Sequence, residues 1–181
     1  MKHLFSLLLL FSCKADLTSD FTFQDYCLKE LNFARTQPSE YAELRLSGES
    51  YNYFKTLTPT TALSLNSTLN LSATDYAVLL SNKGILSHDL NGKPNDRIKA
   101  FGYENSVTEN IAGASPDRYN AILSPEQSAI EFVKALIIDE GDTFLSHRKA
   151  ILNPESKVVG IGFARNPSTL YVNYTVQHFG Q

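Results

Sequence analysis

The C-terminal end of the chain decides the fold class. Residues 157–164 read KVVGIGFA and residues 169–179 read TLYVNYTVQHF. Both stretches alternate in polarity and are rich in β-branched and aromatic residues, which is typical of β-strands. Residues 165–168, RNPS, separate them and have the composition of a turn. The sequence therefore predicts a β-hairpin with a short loop.

Two stretches upstream have apolar residues at helical spacing. Residues 21–36 form the first predicted helix, which ends at Gln37-Pro38 because a residue that precedes proline is pushed out of the helical region. In residues 69–83 the apolar side chains recur at steps of three and four, which indicates an amphipathic helix. Gly84 then stands where a C-cap glycine would.

Cap and turn residues assign the remaining segments. The run Ser124-Pro125-Glu126-Gln127 predicts a helix start, with serine as N-cap and glutamine at the capping-box position, and this helix ends near residues 139–141. Ser39 is the predicted cap of a short helix, and residues 47–64 are predicted to be a long connection. Helices first and a hairpin last predict an α+β domain with helices packed on a small, mostly antiparallel sheet.

Composition narrows the classes of partner. The chain has 181 residues, which suits one domain, and it is 43% hydrophobic and 19% charged, as a folded protein is. Its formal charge is −3 and its basic residues are scattered, whereas nucleic-acid binding requires a clustered basic surface. We therefore expect no nucleic-acid partner.

The N-terminus resembles an export signal. Residues 1–15 have Lys2 near their start and continue into an apolar run that is too short to span a bilayer, so we predict a signal peptide cleaved after Ala15. Two alternatives stay open: a short N-terminal anchor, and a bacterial lipoprotein signal that would place a lipid on Cys13. No other stretch is apolar enough to be a transmembrane segment, and Cys27 would be the only cysteine left after cleavage.

Histidines are the side chains most suited to metal chemistry here. His88 and His147 are predicted to lie on loops beside helix ends, and His178 is predicted to pack or hydrogen-bond on the sheet. Neutral imidazole suits zinc, and a carboxylate can complete its ligand shell. The nearby carboxylates are Asp89, Glu109, Asp139 and Glu140. By spacing alone, the histidines could equally be solvated or could cap helices.

The order of several motifs resembles the CAP superfamily, which includes cysteine-rich secretory proteins, antigen-5 proteins and pathogenesis-related plant proteins. The similarity covers roughly residues 25–180. The motifs that carry it are LNFARTQPSEYA, LSATDYA, GILSHD, TENIAG, LIIDEG, SHRKAILNP and VVGIGFA. The resemblance implies that residues 16–181 form one CAP/SCP domain, an α-β-α sandwich with helices on both sides of the sheet.

The resemblance also implies a site. Members of the family have two histidines and two acidic residues that face each other across a cleft and can bind zinc. The matching positions in this sequence are His88, Glu109, Asp139 and His147. Thr108 and Ser146 replace glycines that are common in the family, and an aspartate at 139 is shorter than the usual residue.

The function implied is that of a secreted, monomeric, non-enzymatic binding module with a zinc cleft. Its ligand would be a sterol, another lipid or a protein, and the counterpart of the family's sterol-binding loop would lie around residues 113–123. One alternative is a metal-dependent hydrolase, peptidase or esterase-like, in which Glu109 acts as general base on a metal-bound water. Another is a lipid-anchored bacterial surface protein with a vestigial cleft.

Overall fold

The computed structural model describes residues 22–115 and 123–181. This part of the chain folds into helices that alternate with short strands. In chain order the elements are α1 (Phe23–Thr36), α2 (Pro38–Arg45), α3 (Gly48–Lys55), β1 (Ser64–Leu65), α4 (Ser67–Lys83), α5 (Pro94–Lys99), β2 (Thr108–Ala114), α6 (Pro125–Ile138), α7 (Ser146–Leu152), β3 (Val158–Arg165) and β4 (Asn173–Gly180).

The four strands form one sheet in the order β1-β3-β4-β2. The pairs β3–β4 and β2–β4 are antiparallel, and only the two-residue strand β1 runs parallel to its neighbour. In the β2–β4 register Glu109 lies opposite His178, and Asn110 lies opposite Gln177. The mostly antiparallel sheet is therefore confirmed, and β2 forms one of its edges.

The predicted hairpin is present, but its connection is longer than expected. Strand β4 begins at Asn173, so residues 166–172 connect the two strands. The backbone N–H of Asn166 donates to the carbonyl of Val172 at 2.8 Å, and the Asn166 amide donates to the carbonyl of Ser81 at 2.9 Å. Because this asparagine closes the connection and ties it to α4, the chain turns before it can continue as a strand.

The sheet is covered on both faces, which confirms the α-β-α sandwich. Helix α4 lies directly on β3: a Cβ added at Gly160 would be 2.1 Å from the backbone carbon of Leu69, and one at Gly162 would be 2.1 Å from the carbonyl oxygen of Ala73. On the opposite face, helices α1, α6 and α7 share a core with Val159, Ile161 and Phe179 of the sheet. The two glycines in GIG therefore set how closely α4 approaches.

The predicted helix ends are largely confirmed. Gly84 ends α4 in the left-handed conformation with φ 70°. At the start of α6, the Ser124 hydroxyl accepts from the Gln127 N–H at 3.2 Å, and the Gln127 side chain accepts from the Ser124 N–H at 3.1 Å. The predicted cap at Ser39 is wrong, because α2 begins one residue earlier at Pro38, whose fixed φ suits the first helical position.

The long connection predicted over residues 47–64 is also wrong in part, since α3 occupies Gly48–Lys55. Ser50 and Phe54 are one helical turn apart and both are buried. The Phe54 ring lies 5.7 Å from the ring of Tyr41 in α2. This tertiary contact stabilises a helix whose sequence, with Gly48, Ser50, Asn52 and two tyrosines, resembles a loop.

The N-terminal predictions lie outside the described residues: the signal peptide over residues 1–15, cleavage after Ala15 and lipid attachment at Cys13. Within residues 22–115 and 123–181, no helix is long and apolar enough to cross a membrane. Cys27 is fully buried on α1, and burial raises the pKa of its thiol. A structural role for this cysteine is thereby favoured over reactivity.

Candidate functional site

His88 and Glu109 form the first histidine–carboxylate pair of the site. The left-handed Gly84 ends α4 and releases the chain into the irregular segment that carries His88, and the Tyr76 hydroxyl holds this segment by donating to the Ser87 carbonyl at 2.5 Å. Nδ1 of His88 lies 2.8 Å from Oε1 of Glu109. The imidazole is 45% exposed and the carboxylate only 1%, so the ring lies between the carboxylate and solvent.

Glu109 has two further partners. Nη2 of Arg97 donates to Oε2 of Glu109 at 2.5 Å, and the Arg97 guanidinium lies 3.5 Å from the centre of the Tyr76 ring. Nε2 of His178 lies 2.8 Å from the same Oε2, and its imidazole is fully buried. The prediction that His178 hydrogen-bonds on the sheet is confirmed, and both oxygens of Glu109 have partners.

These contacts determine the charge state of Glu109. Burial alone would raise the pKa of this carboxyl, but hydrogen bonds from His178 and His88, together with the positive charge of Arg97, lower the pKa to about 2. Glu109 is therefore an anion across the physiological pH range. It is a strong hydrogen-bond acceptor and a weak base.

Asp139 and His147 form the second pair. Asp139 follows the last residue of α6 and ends that helix in the left-handed conformation with φ 57°. Its Oδ1 lies 2.6 Å from Nδ1 of His147, and its Oδ2 accepts from the backbone N–H groups of His147 at 3.0 Å and Arg148 at 3.2 Å. The imidazole is 26% exposed and the carboxylate 4%. Burial again increases from the imidazole to the carboxylate.

Arg148 fixes the junction between α6 and α7. It is buried, and it donates to the last carbonyls of α6: Nε to Ile137 at 2.5 Å and Nη2 to Ile138 at 3.0 Å. Nη2 also donates to the Ser50 hydroxyl at 2.7 Å. A cation is favourable at a helix C-terminus because it satisfies carbonyls and complements the helix dipole. His147 belongs to the first turn of α7, so its predicted position on a loop is wrong.

Strand β2 lies between the two pairs. Successive side chains of a strand point to opposite faces, so Glu109 contacts the α4 side of the sheet and Asn110 the α7 side. Nδ2 of Asn110 donates to the backbone carbonyl of His147 at 3.2 Å. The Glu-Asn dipeptide thus contacts both pairs from one edge strand, and each residue contacts a different layer.

The structure therefore arranges the four predicted site residues as two pairs, His88 with Glu109 and His147 with Asp139. Within the described part of the chain, one other group of potential ligand atoms lies within 4.8 Å of one another, and it comprises Asp139, Asp142 and His147. The carboxylate of Asp142 accepts from the backbone N–H groups of Phe144 and Ser146 and from the Ser146 hydroxyl, which lower its pKa to about 2. It orders the start of α7.

Two sequence candidates are not part of the pairs, and two residues and one contact of the site were not predicted. Asp89 and Glu140 are exposed, and Glu109 and Asp139 contact the histidines instead. Arg97, Asp142 and the contact of His178 with Glu109 were missed. The histidine's position was available from the strand pattern, but its contact depends on the β2–β4 register.

Comparison with known proteins agrees with this architecture. A family model described as "CAP: Cysteine-rich secretory protein family" matches residues 43–179. The chain belongs to this CAP family. Membership supports an extracellular CAP-type module as the general class of this domain. A search of curated protein sequences gave no match.

Solved structures show the same CAP fold at low sequence identity. An outer surface protein from Borrelia burgdorferi aligns with a TM-score of 0.52 and 20% identity, over 84% of this chain and 92% of that protein. BmVAL-1 aligns with a TM-score of 0.52 and 13% identity, over 94% of this chain and 81% of that protein. Because these identities are low, the likeness extends to the fold alone.

Proposed function

We propose that this CAP domain is a secreted binding module that holds a divalent metal, zinc, between His88 and His147. One observation carries the proposal: in each pair, Nδ1 of a solvent-accessible imidazole contacts a buried carboxylate. A carboxylate that accepts from Nδ1–H fixes the tautomer in which Nε2 has the free lone pair. Nε2 of each ring is then the atom offered to a ligand.

The donor chemistry fits zinc. Imidazole nitrogen is a preferred zinc ligand, and zinc sites that keep open positions complete their shell with water or a bound ligand. All four carboxylate oxygens of Glu109 and Asp139 already have protein partners. We therefore propose two histidine ligands and two orienting carboxylates, rather than the four protein ligands predicted from the sequence.

Zinc titration by calorimetry tests the metal site. We expect His88→Ala and His147→Ala each to weaken zinc binding at least about tenfold, with Lys99→Ala, an exposed lysine on α5, as the matched control. If zinc instead occupied the group of Asp139, Asp142 and His147, His88→Ala would retain the wild-type affinity. Binding should also weaken as pH falls through the imidazole range, because a protonated histidine cannot ligate.

A metal-dependent hydrolase in the same cleft has less support. A general base on a metal-bound water needs a free oxygen and a pKa near the working pH. Glu109 has partners on both oxygens, and its pKa is lowered to about 2 by its hydrogen bonds and by Arg97. A screen of peptide and ester substrates tests this directly. Turnover that a chelator abolishes would support the hydrolase function instead.

The organic ligand is proposed by class, as a sterol, another lipid or a protein surface. The predicted ligand loop over residues 113–123 lies partly outside the described residues. Its described beginning borders a cavity between β2 and α6, with Ala112, Phe132 and Ala135 in the lining. Mass spectrometry of solvent extracts from the purified protein would detect a co-purifying lipid. A lipid-free protein that also takes up no added sterol would leave a protein ligand.

Export is proposed from the N-terminal sequence. Cleavage after Ala15 would leave Asp16 as the first residue of a secreted protein, whereas a lipoprotein would begin at a modified Cys13. Mass spectrometry of the mature N-terminus separates these two outcomes. A retained Met1 would contradict both of them.

A further inference from the structure

Glu109 is held by more donors than the orientation of one imidazole requires. We propose that Arg97 and His178 are positioning residues of the cleft, which clamp Glu109 so that His88 keeps its proton on Nδ1 and offers Nε2 to a ligand. The part of this inference that concerns zinc rests on the proposed function. The part that concerns the tautomer of His88 stands on the contacts alone.

Arg97 contacts both members of the first pair. Its Nη2 donates to Oε2 of Glu109, and its Nη1 donates to the backbone carbonyl of His88 at 2.7 Å and to the carbonyl of Gly92. The side chain is 8% exposed, and its guanidinium stacks on Tyr76. The rigid, planar guanidinium therefore sets the distance between the carboxylate of Glu109 and the backbone that carries the imidazole.

His178 holds Glu109 from within the sheet. The β2–β4 register places the two residues opposite each other, and Nε2 of His178 contacts Oε2. The other ring nitrogen, Nδ1, is buried and has no hydrogen-bond partner in the described part of the chain. A buried polar atom without a partner is unfavourable, so packing alone would favour an apolar side chain here. The imidazole is explained by its contact with Glu109.

The two clamps leave one oxygen of Glu109 for His88. Oε2 accepts from both Arg97 and His178, so the carboxylate is fixed and Oε1 points to His88. A half-exposed neutral imidazole would otherwise exchange between its two tautomers, because either nitrogen can carry the proton. A fixed acceptor at Nδ1 selects one of them.

Nitrogen NMR of the histidine rings tests the clamp in the full domain. Spectra are recorded above about pH 8, where imidazole is neutral, for the wild type, Arg97→Met, Arg97→Lys and His178→Leu, with Lys99→Met on the same helix as the control. In Arg97→Met we expect the Nε2-protonated tautomer of His88 to increase, while His147 stays unchanged. Arg97→Lys keeps the charge without the planar fork and should give an intermediate shift.

Zinc titration of the same variants supplies the second measurement. We expect Arg97→Met to weaken zinc binding about tenfold and His178→Leu to weaken it less, because Arg97 still holds Oε2. The clamp is overturned if both variants are folded and retain the wild-type tautomer of His88. If the wild type binds no zinc but the His88 tautomer shifts in Arg97→Met, the proposed metal function is wrong and the proposed positioning of Glu109 is supported.

Discussion

Glu109 and Asp139 each accept a hydrogen bond from Nδ1 of a histidine, but they take their other donors from different distances along the chain. The partners of Glu109 lie 12, 21 and 69 residues away, on α5, on the segment after α4 and on β4. The donors of Asp139 lie 8 and 9 residues away, and two of them are backbone N–H groups of α7. The first pair needs the assembled sheet, whereas the second is a local junction between two helices.

Removal of the two carboxylates should therefore leave different kinds of group without a partner. Without Glu109, the buried Arg97 side chain would lose its carboxylate partner, and the buried His178 would lose its acceptor. Without Asp139, the backbone N–H groups of His147 and Arg148 would lose a cap at the start of a helix. The penalty for an unpaired buried cation exceeds that for a missing helix cap.

The largest expected effect follows from this difference. Glu109→Ala should lower the free energy of unfolding by about 3–5 kcal/mol, the range for a buried ion pair that loses one partner. Asp139→Gly, which keeps the left-handed backbone at this position without strain, should lower it by about 1–2 kcal/mol, as the loss of a helix cap does. Urea unfolding at neutral pH measures both, with the exposed Glu104→Ala as control. Equal losses at the two positions would mean that the first pair does not depend on its buried partners more than the second pair does.

Stability should also depend on pH through the first pair. The pKa of Glu109 is lowered from 4.5 to about 2 in the folded protein, where hydrogen bonds from His178 and His88 outweigh the effect of burial. Its stabilisation is therefore fully present above about pH 4.5 and is lost as the pH falls through about 2. The shift corresponds to about 3 kcal/mol.

Comparison with Glu109→Gln isolates this contribution, since the amide does not titrate. The difference in unfolding free energy between the wild type and this variant should decrease by about 3 kcal/mol as the pH falls from about 5 to about 2. Asp142, whose pKa is also about 2 because of its hydrogen bonds to Ser146 and Phe144, is present in both proteins and cancels. A difference that stays constant with pH would show that Glu109 is not held as an anion.

The same distinction between local and distant contacts explains which features of the fold could be predicted from the sequence. Features set by neighbours within one turn were predicted from the chain alone: the Ser124–Gln127 capping box, the left-handed Gly84 and the end of α1 before Pro38. Helix α3 was missed because its formation depends on the burial of Phe54 against α2, and no local signal shows this contact.

The same distinction applies to the residues of the candidate site. His88, Glu109, Asp139 and His147 were selected by their resemblance to the CAP family, and no contact between them follows from their spacing. Arg97 lies on a six-residue helix without a periodic pattern, so its contact with Glu109 was not predictable. The partnership of His178 with Glu109 requires the register of two strands that are 69 residues apart at this point. The contacts that hold the first pair thus depend on the assembled tertiary structure and not on local sequence.

A smaller effect is expected when the second pair is changed alone. In Asp139→Asn the side chain keeps its size and can still cap α7, but it loses the charge that holds the Nδ1–H tautomer of His147. Zinc affinity should fall about tenfold, and the free energy of unfolding should change by less than about 1 kcal/mol. Calorimetry and urea unfolding check the two quantities. A large loss of stability with unchanged zinc affinity would make Asp139 a purely structural residue.

The smallest expected effect is the coupling free energy between the two pairs. Glu109 and Asp139 share no hydrogen-bond partner among the described residues, so Glu109→Gln and Asp139→Asn should be additive in unfolding free energy to within about 0.5 kcal/mol. Zinc affinity should behave differently, because one ion held by both imidazoles couples them. In the double variant the second substitution should cost less zinc affinity than it does alone. Two zinc-binding events, each weakened by only one of the substitutions, would instead assign the two histidines to independent sites.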